Sequence, residues 1–333
     1  MRMPLPTPKR RQRVTLLSAG LLLAGTSLLL ALLSGSADIP PEAVLTHLFS
    51  NDGSTDDRIV DQLRLPRSLS AFAVGGVLAL AGAMMQVLLR NPLGDPYVLG
   101  VSGGAASAVL AGMLLGLQSA WLTPLAFAGA LLSMLLVFAV GHRASHGDTN
   151  RLLLTGVVMA AGWGALISLI LSLGPPMQLP GMLFWLMGDL SDALSPWPTL
   201  FILALGLVLG LHLAPRLNLA VYGLQQAAVL GVNPVRLQIQ LYFLASLLTA
   251  AAVSVAGAIG FVGLVTPHLV RLLGGTDHRL LLPVSVLLGG SLLTLADTAA
   301  RTLISPMQLP VGVLTALLGV PVFLWLLTRT RHG

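Results

Sequence analysis

The stretch NPLGDPYVLGVSGGAA (91–106) follows AFAVGGVLALAGAMMQVLL (71–89), a run that is almost wholly apolar, and breaks it with Asn91, Pro92, Asp95, Pro96 and a cluster of glycines. Proline removes a backbone donor and steers the residue before it away from the helical region, so a continuous helix ends here. Hydrocarbon offers no partner for the carbonyls and amides of such a break. At membrane depth it survives only when buried in protein or facing a watery cavity. The other possibility is an ordinary hairpin at a membrane surface, with the prolines as helix stops. The spacing leaves both open.

Composition names the solvent. Of 333 residues 55% are hydrophobic and 9% charged, where soluble domains carry about 25% charged residues; mean hydropathy is +0.88. Apolar runs of about 20 residues recur, each enough to cross a hydrocarbon core of roughly 30 Å. The expected fold is therefore all-α, a polytopic membrane protein forming a single transmembrane domain, 1–333. Its spans fall near 14–33, 66–89, 98–117, 121–141, 152–173, 197–213, 239–257, 259–274, 281–303 and 309–328, which makes ten transmembrane helices.

Cysteine is absent, which excludes disulfides and thiolate metal sites. Lys9 is the one lysine and has no glycine loop beside it, so the chain is no P-loop ATPase. A charge of +6 invites a nucleic-acid reading. The basic residues are instead arginines scattered between apolar spans and read as topology signals. Arg2, Lys9, Arg10, Arg11 and Arg13 precede the first span and place the N-terminus in the cytoplasm. A cleavable signal peptide ending at GSA (35–37) is the rival, but the apolar stretch exceeds the usual 7 to 15 residues. With ten spans the C-terminal tail lies on the same side, as do the loops holding Arg143, Arg216, Arg236 and Arg279. The first outer loop holds Asp38, Glu42, Asp52, Asp56, Asp57 and Asp61, and within it residues 40–50 suit a short interfacial helix.

AGAMMQVLLRNPL (81–93) and AGAIGFVGLVTPH (256–268) align at an offset of 175, pairing Pro92 with Pro267 and, further on, Gly100 with Gly275. With span 2 running inward and span 7 outward, the repeat halves, roughly 65–173 and 239–328, are inverted in topology, an arrangement transporters use for alternating access. The echo predicts a second broken helix at TPH.

The segment LRLPRSLSAFAVGGVLALAGAMMQVLLRNPLGDPYVLGVSGGAA closely resembles the start of the FecCD family, permease subunits of importers for iron siderophores, haem and vitamin B12. The likeness continues through RLLLTGVVMA (151–160), FWLMGDLS (184–191), AGAIGFVGLVTPHLVRLLGGTDHRLLLP (256–283), LADTAARTL (295–303) and LPVGVLTALLGVPVFLWLL (309–327). It implies the type II ABC importer permease fold and a non-enzymatic transport subunit of the bacterial inner membrane. The implied partners are a second permease copy in a homodimer, two cytoplasmic ATP-binding subunits and a periplasmic substrate-binding protein. ATP and Mg would sit on the ATPase, with no cofactor or metal on this chain.

The resemblance also assigns residues. Arg64, Arg67 and Arg301 match arginines that grip glutamates of the binding protein, and forked guanidinium–carboxylate pairing suits that task. Snorkelling anchors are the plainer alternative. Gly223, Ala227, Leu230 and Gly231 match a stretch, 218–233, that forms two short coupling helices seated in the ATPase. Leu224, Gln225 and Ala228 depart from the charged residues usual there, so the contact is expected to be more apolar. Asn91 and Leu93, with Thr149 and Asn150, match a cytoplasmic gate; Asn150 is bulkier than the usual serine. Substrate would pass a cavity lined by spans 5 and 10.

Among the histidines, His142 and His146 lie in a loop, and His268 reads as a structural residue at a helix break rather than a haem ligand. Asp297 and Arg301, four apart, suit pairing on one helix face. An ion-coupled secondary transporter with inverted repeats is the alternative, but it should bury ionisable groups in its spans, and Asp297 is the one clear example. An intramembrane enzyme would need a nucleophile with a base, or a metal cluster, and neither pattern occurs. Haem or a ferric siderophore is the preferred cargo, with cobalamin close behind.

Overall fold

The computed structural model describes residues 10–35, 39–42, 44, 54–143, 149–191, 193, 195–274 and 276–329. Among these residues every regular element is helical. Seven helices are long and apolar enough to cross a membrane: α1 (Arg10–Leu33), α2 (Thr55–Leu88), α4 (Ser119–Gly141), α5 (Arg151–Leu173), α7 (Trp197–Ala220), α9 (Pro234–Ala256) and α11 (His278–Thr302). Three shorter apolar helices complete the expected ten: α3 (Val101–Leu114), α10 (Val262–Gly274) and α12 (Val311–Arg329). Two further short helices, α6 (Leu179–Leu186) and α8 (Leu224–Val229), lie in the connections on either side of α7.

Helix α2 is the hub. Nearly every residue from Ser68 to Leu88 is buried against α7, α9, α10 and α11. Without a hydrophobic force between helices in lipid, close approach of small residues carries the packing. At Gly75 an added methyl would collide with the Gly289 carbonyl of α11, and at Gly82 with the Gly263 carbonyl of α10. The second approach has a backbone cause. Pro267 has no N–H to receive that carbonyl in the usual i to i+4 bond, so the oxygen turns toward α2.

Several boundaries differ from the sequence expectation. Helix α2 starts eleven residues before the expected Pro66, because Ser54 and Asp57 form a reciprocal capping box (Asp57 N to Ser54 Oγ 3.2 Å, Ser54 N to Asp57 Oδ2 3.1 Å). Asp56, Asp57 and Asp61 therefore lie on a helix, not in a loop, and a π-helical turn at Val60–Arg64 joins that polar start to the apolar span. Helix α7 runs through Pro215 to Ala220, so 218–220 belongs to a long helix and the coupling stretch holds one short helix, α8, in place of two. The expected break at TPH is absent: α10 continues through Pro267, and the second half breaks earlier, at 257–261, where Gly257 (φ 65°) and Phe261 (φ 69°) adopt left-handed backbone. The expected interfacial helix falls mostly on 45–50, which, like His47, His146, His332 and Gly275, lies outside the described residues.

The bundle has two distinct ends. At one, the start of α1 meets the end of α10 and the start of α11: Gln12 Nε2 donates to the Leu273 carbonyl (3.2 Å) and Arg13 pairs with Asp277 (3.0 Å). At the other, the last carbonyls of α1 meet the start of α2 and the end of α11 through Arg64 and Arg301.

Candidate functional site

Three groups of predicted residues fall at these two ends. The arginines share the end away from the N-terminus. Arg67 donates from Nε and Nη2 to the Asp297 carboxylate at 2.9–3.1 Å and from Nη1 to Gln308 Oε1 at 3.0 Å. Arg301 Nε donates to Asp297 Oδ2 at 3.1 Å, an oxygen it shares with Arg67 Nε, so the expected i, i+4 pair is present. Arg64 is nearly buried and donates to the Leu32 carbonyl at 2.7 Å. That oxygen belongs to the last turn of α1, where no intrahelical donor remains, so a guanidinium completes the helix end and opposes its dipole. All three arginines line a cavity of about 290 Å³ beside Gly35, Gln62 and Gln308.

Asp297 is only 1% exposed at its side chain. A carboxylate so placed is costly unless paired, and here two arginines from different helices pair it. The sequence signal was present in the lone acid of span 9, but the pairing with Arg67 crosses 230 residues. The reading that sent Arg67 outward missed it. A second cavity of about 580 Å³ adjoins, with Phe184 and Trp185 of α6 on one wall and Asp189 on another. Ser191 borders both cavities, and its hydroxyl hydrogen-bonds the Asp189 carboxylate.

At the N-terminal end the opening stretch resolves into two parts. Asn91 and Leu93 sit exposed in one tight turn: Asn91 Oδ1 accepts from Leu93 N at 2.9 Å, and Gly94 N donates to the Asn91 carbonyl at 2.9 Å. The chain then re-enters the bundle. Asp95 caps a short 3₁₀ turn, Pro96–Leu99, accepting from Tyr97 N at 2.8 Å. Pro96 lies beside Leu78 and Gly263, about 15 Å up α2 from Leu88 at 1.5 Å per residue. The Tyr97 hydroxyl accepts from Ile259 N in the α9–α10 break (3.2 Å). The hairpin and the buried break are thus both real, in succession, and the irregular backbone at depth is enclosed by protein.

Thr149 and Asn150 open helix α5 as it is assigned over Thr149–Leu173. Their side chains, like that of His142, lie outside the described residues. His268 is buried within α10, on a continuous helix instead of at a break.

The coupling residues form a compact unit between α7 and α9. Gly223 (φ 120°) ends α7 and starts α8, with its N–H on the Ala220 carbonyl at 3.0 Å. Ala227 is fully buried and anchors α8. Helix α8 ends in a Schellman motif, Val232 N to Ala227 O (3.0 Å) and Gly231 N to Ala228 O (3.0 Å), with Gly231 at φ 86°. Both glycines are required by their left-handed backbone. Leu230 is 65% exposed and Val229 88%, with Val221 and Tyr222 beside them, so an apolar surface stands outside the spanning helices.

Known proteins resemble this chain over nearly its whole length. The model of the FecCD transport family matches residues 21–329. The hemin transport system permease protein HmuU of Yersinia pestis is 41% identical over 92% of this chain and 94% of its own. The vitamin B12 import system permease protein BtuC of Escherichia coli O9:H4 is 38% identical over 97% and 98%. A solved metal-chelate type ABC transporter, in an inward-facing conformation, superposes with a TM-score of 0.83 at 32% identity, covering 95% of this chain and 99% of that one. This chain belongs to the FecCD transport family.

Proposed function

We propose that the chain is the membrane permease subunit of an ATP-driven importer for a metal chelate of the haem, ferric siderophore or cobalamin class. The exposed apolar unit at Val221–Leu230 carries this reading. An apolar patch of fixed geometry outside the spanning helices marks a protein contact, and the chain has no P-loop of its own. Two cytoplasmic ATPase subunits, binding ATP and Mg, would seat α8; the permease itself holds no cofactor. The N- and C-termini then face the cytoplasm of a bacterial inner-membrane protein. A second copy of the chain would cover the largely exposed apolar faces of α5 and α12 and enclose the pathway between them.

The arginine cavity is the proposed seat of a periplasmic binding protein. Asp297 and Asp189 both lie against Arg67 and Asp56 acts on Arg64, so an incoming carboxylate would share these guanidiniums in forked geometry with acids of the chain itself. Because Arg64 and Arg301 also hold helix ends together, the docking role is best tested on the partner. Neutralising the binding protein's surface carboxylates should weaken docking to unaltered permease, and unchanged affinity would remove that role. The turn Asn91–Leu93, with Thr149 and Asn150, is the proposed cytoplasmic gate, opened when ATP-driven movement of α8 reaches it.

The ion-coupled alternative needs a carboxylate able to exchange protons or cations. Asp297 is held by two arginines, which disfavours that use. The deciding experiment is uptake of haem, ferric siderophore and cobalamin into proteoliposomes containing the permease with its ATPase and binding protein. Uptake should require ATP inside. Uptake driven by an ion gradient without ATP would refute the proposal.

A further inference from the structure

Asn218 lies two residues from the end of α7, and every polar atom of its side chain is engaged by the start of α11. Its Oδ1 accepts from His278 N at 2.8 Å and stands 2.8 Å from His278 Nδ1, while its Nδ2 donates to Asp277 Oδ1 at 2.9 Å. Asp277 in turn caps α11 through Arg279 N (3.1 Å) and meets Arg13 of α1 on its other oxygen (3.0 Å). Burial raises the Asp277 carboxyl, but the Asn218 and Arg279 hydrogen bonds and the charges of Arg13 and Arg279 outweigh it and hold the group below the usual carboxylate range.

We propose that Asn218 is a positioning residue for energy coupling: with Asp277 and His278 it locks the end of α7 to the start of α11, so that movement imposed on α8 passes into α11. This rests on the importer reading above. Three features carry it. The turn 221–223 between Asn218 and α8 is short and hydrogen-bonded, Tyr222 N to Leu219 O (3.2 Å) and Gly223 N to Ala220 O (3.0 Å), so α8 cannot move far without the end of α7. Helix α11 is unbroken for 25 residues, and it carries Asp297 and Arg301 at its other end, about 30 Å away at 1.5 Å per residue. One rigid element therefore joins the proposed ATPase contact to the proposed binding-protein seat. A primary amide presents a donor to Asp277 and an acceptor to His278 N at once, so aspartate here would repel Asp277 and leucine would remove both bonds between α7 and α11.

The readout is the ratio of ATPase activity with and without loaded binding protein, in the reconstituted complex. Asn218→Ala should lower that ratio about fivefold, a typical coupling effect, with dimer assembly and basal hydrolysis unchanged. The double exchange Asn218→Asp with Asp277→Asn keeps one donor and one acceptor across the gap and should restore it. A normal ratio in Asn218→Ala overturns the proposal while leaving the importer reading intact. Should Asn218→Ala fail to assemble, Asp277→Asn is compared with the double exchange, and equal ratios in those two overturn it. A wild-type complex with no stimulation refutes the importer reading itself, and the proposal with it.

Discussion

Arg67 of α2 and Asp297 of α11 form a forked pair at 2.9–3.1 Å although 230 residues separate them, and Arg301 completes the pair from one helical turn away. Removing one partner of such a buried pair strands charge. Asp297→Asn should therefore destabilise the protein by about 3–5 kcal/mol. Thermal unfolding in detergent tests this; a midpoint equal to that of the wild type would refute it.

Gly82→Ala places a methyl against the Gly263 carbonyl and should separate α2 from α10. Overpacking of this kind costs about 1–3 kcal/mol. Gly25 of α1 has open space around it, so Gly25→Ala should be neutral or slightly stabilising, alanine being the better helix former. The two substitutions compared by thermal unfolding separate packing from propensity. Equal effects would show that the carbonyl contact does not matter.

Asn91→Ala removes the acceptor for Leu93 N and frees the turn. If this turn is the gate, substrate preloaded into proteoliposomes should leak out faster without ATP. Leu93→Ala should act in the same direction by shortening the side chain that narrows the mouth. Efflux at the wild-type rate in both variants would remove the turn from the gate.

Val229→Asp puts a charge at the most exposed point of the α8 surface. Fold and dimer should survive, because nothing buried changes, while co-purification with the ATPase subunit should be lost. Full recovery of the complex would place the ATPase contact elsewhere.

Seven spans were legible because twenty-residue apolar runs can mean little else, whereas α3 and α10, of 14 and 13 residues, were legible in position but not in length. The stretch around Gly223 and Gly231 was legible by its likeness to the family, and the structure gives both glycines positive φ at the two ends of α8. Helix α6 was not, since eight residues with Pro180 at the start give too little periodicity to separate from a loop. The break expected at Pro267 was misplaced because proline predicts a missing hydrogen bond, not what replaces it. Gly82 lets the orphaned carbonyl pack against α2, and the helix continues.

By itself the sequence determined the solvent, the number of spans and the family, since these depend on composition, run length and contiguous motifs. Tertiary structure decided what the charged and polar residues are for. Arg64 and Arg67 lie on α2, Asn218 on α7, and Asp297 and His278 on α11, and each has a low-energy state only once a partner from another helix is beside it. Burial makes that partner obligatory, and no local pattern can name it. The stretch 91–106 shows the same division. Its prolines announced a break, but only the packed bundle made one half an exposed turn at Asn91 and Leu93 and the other a buried passage beside Leu78 and Ile259.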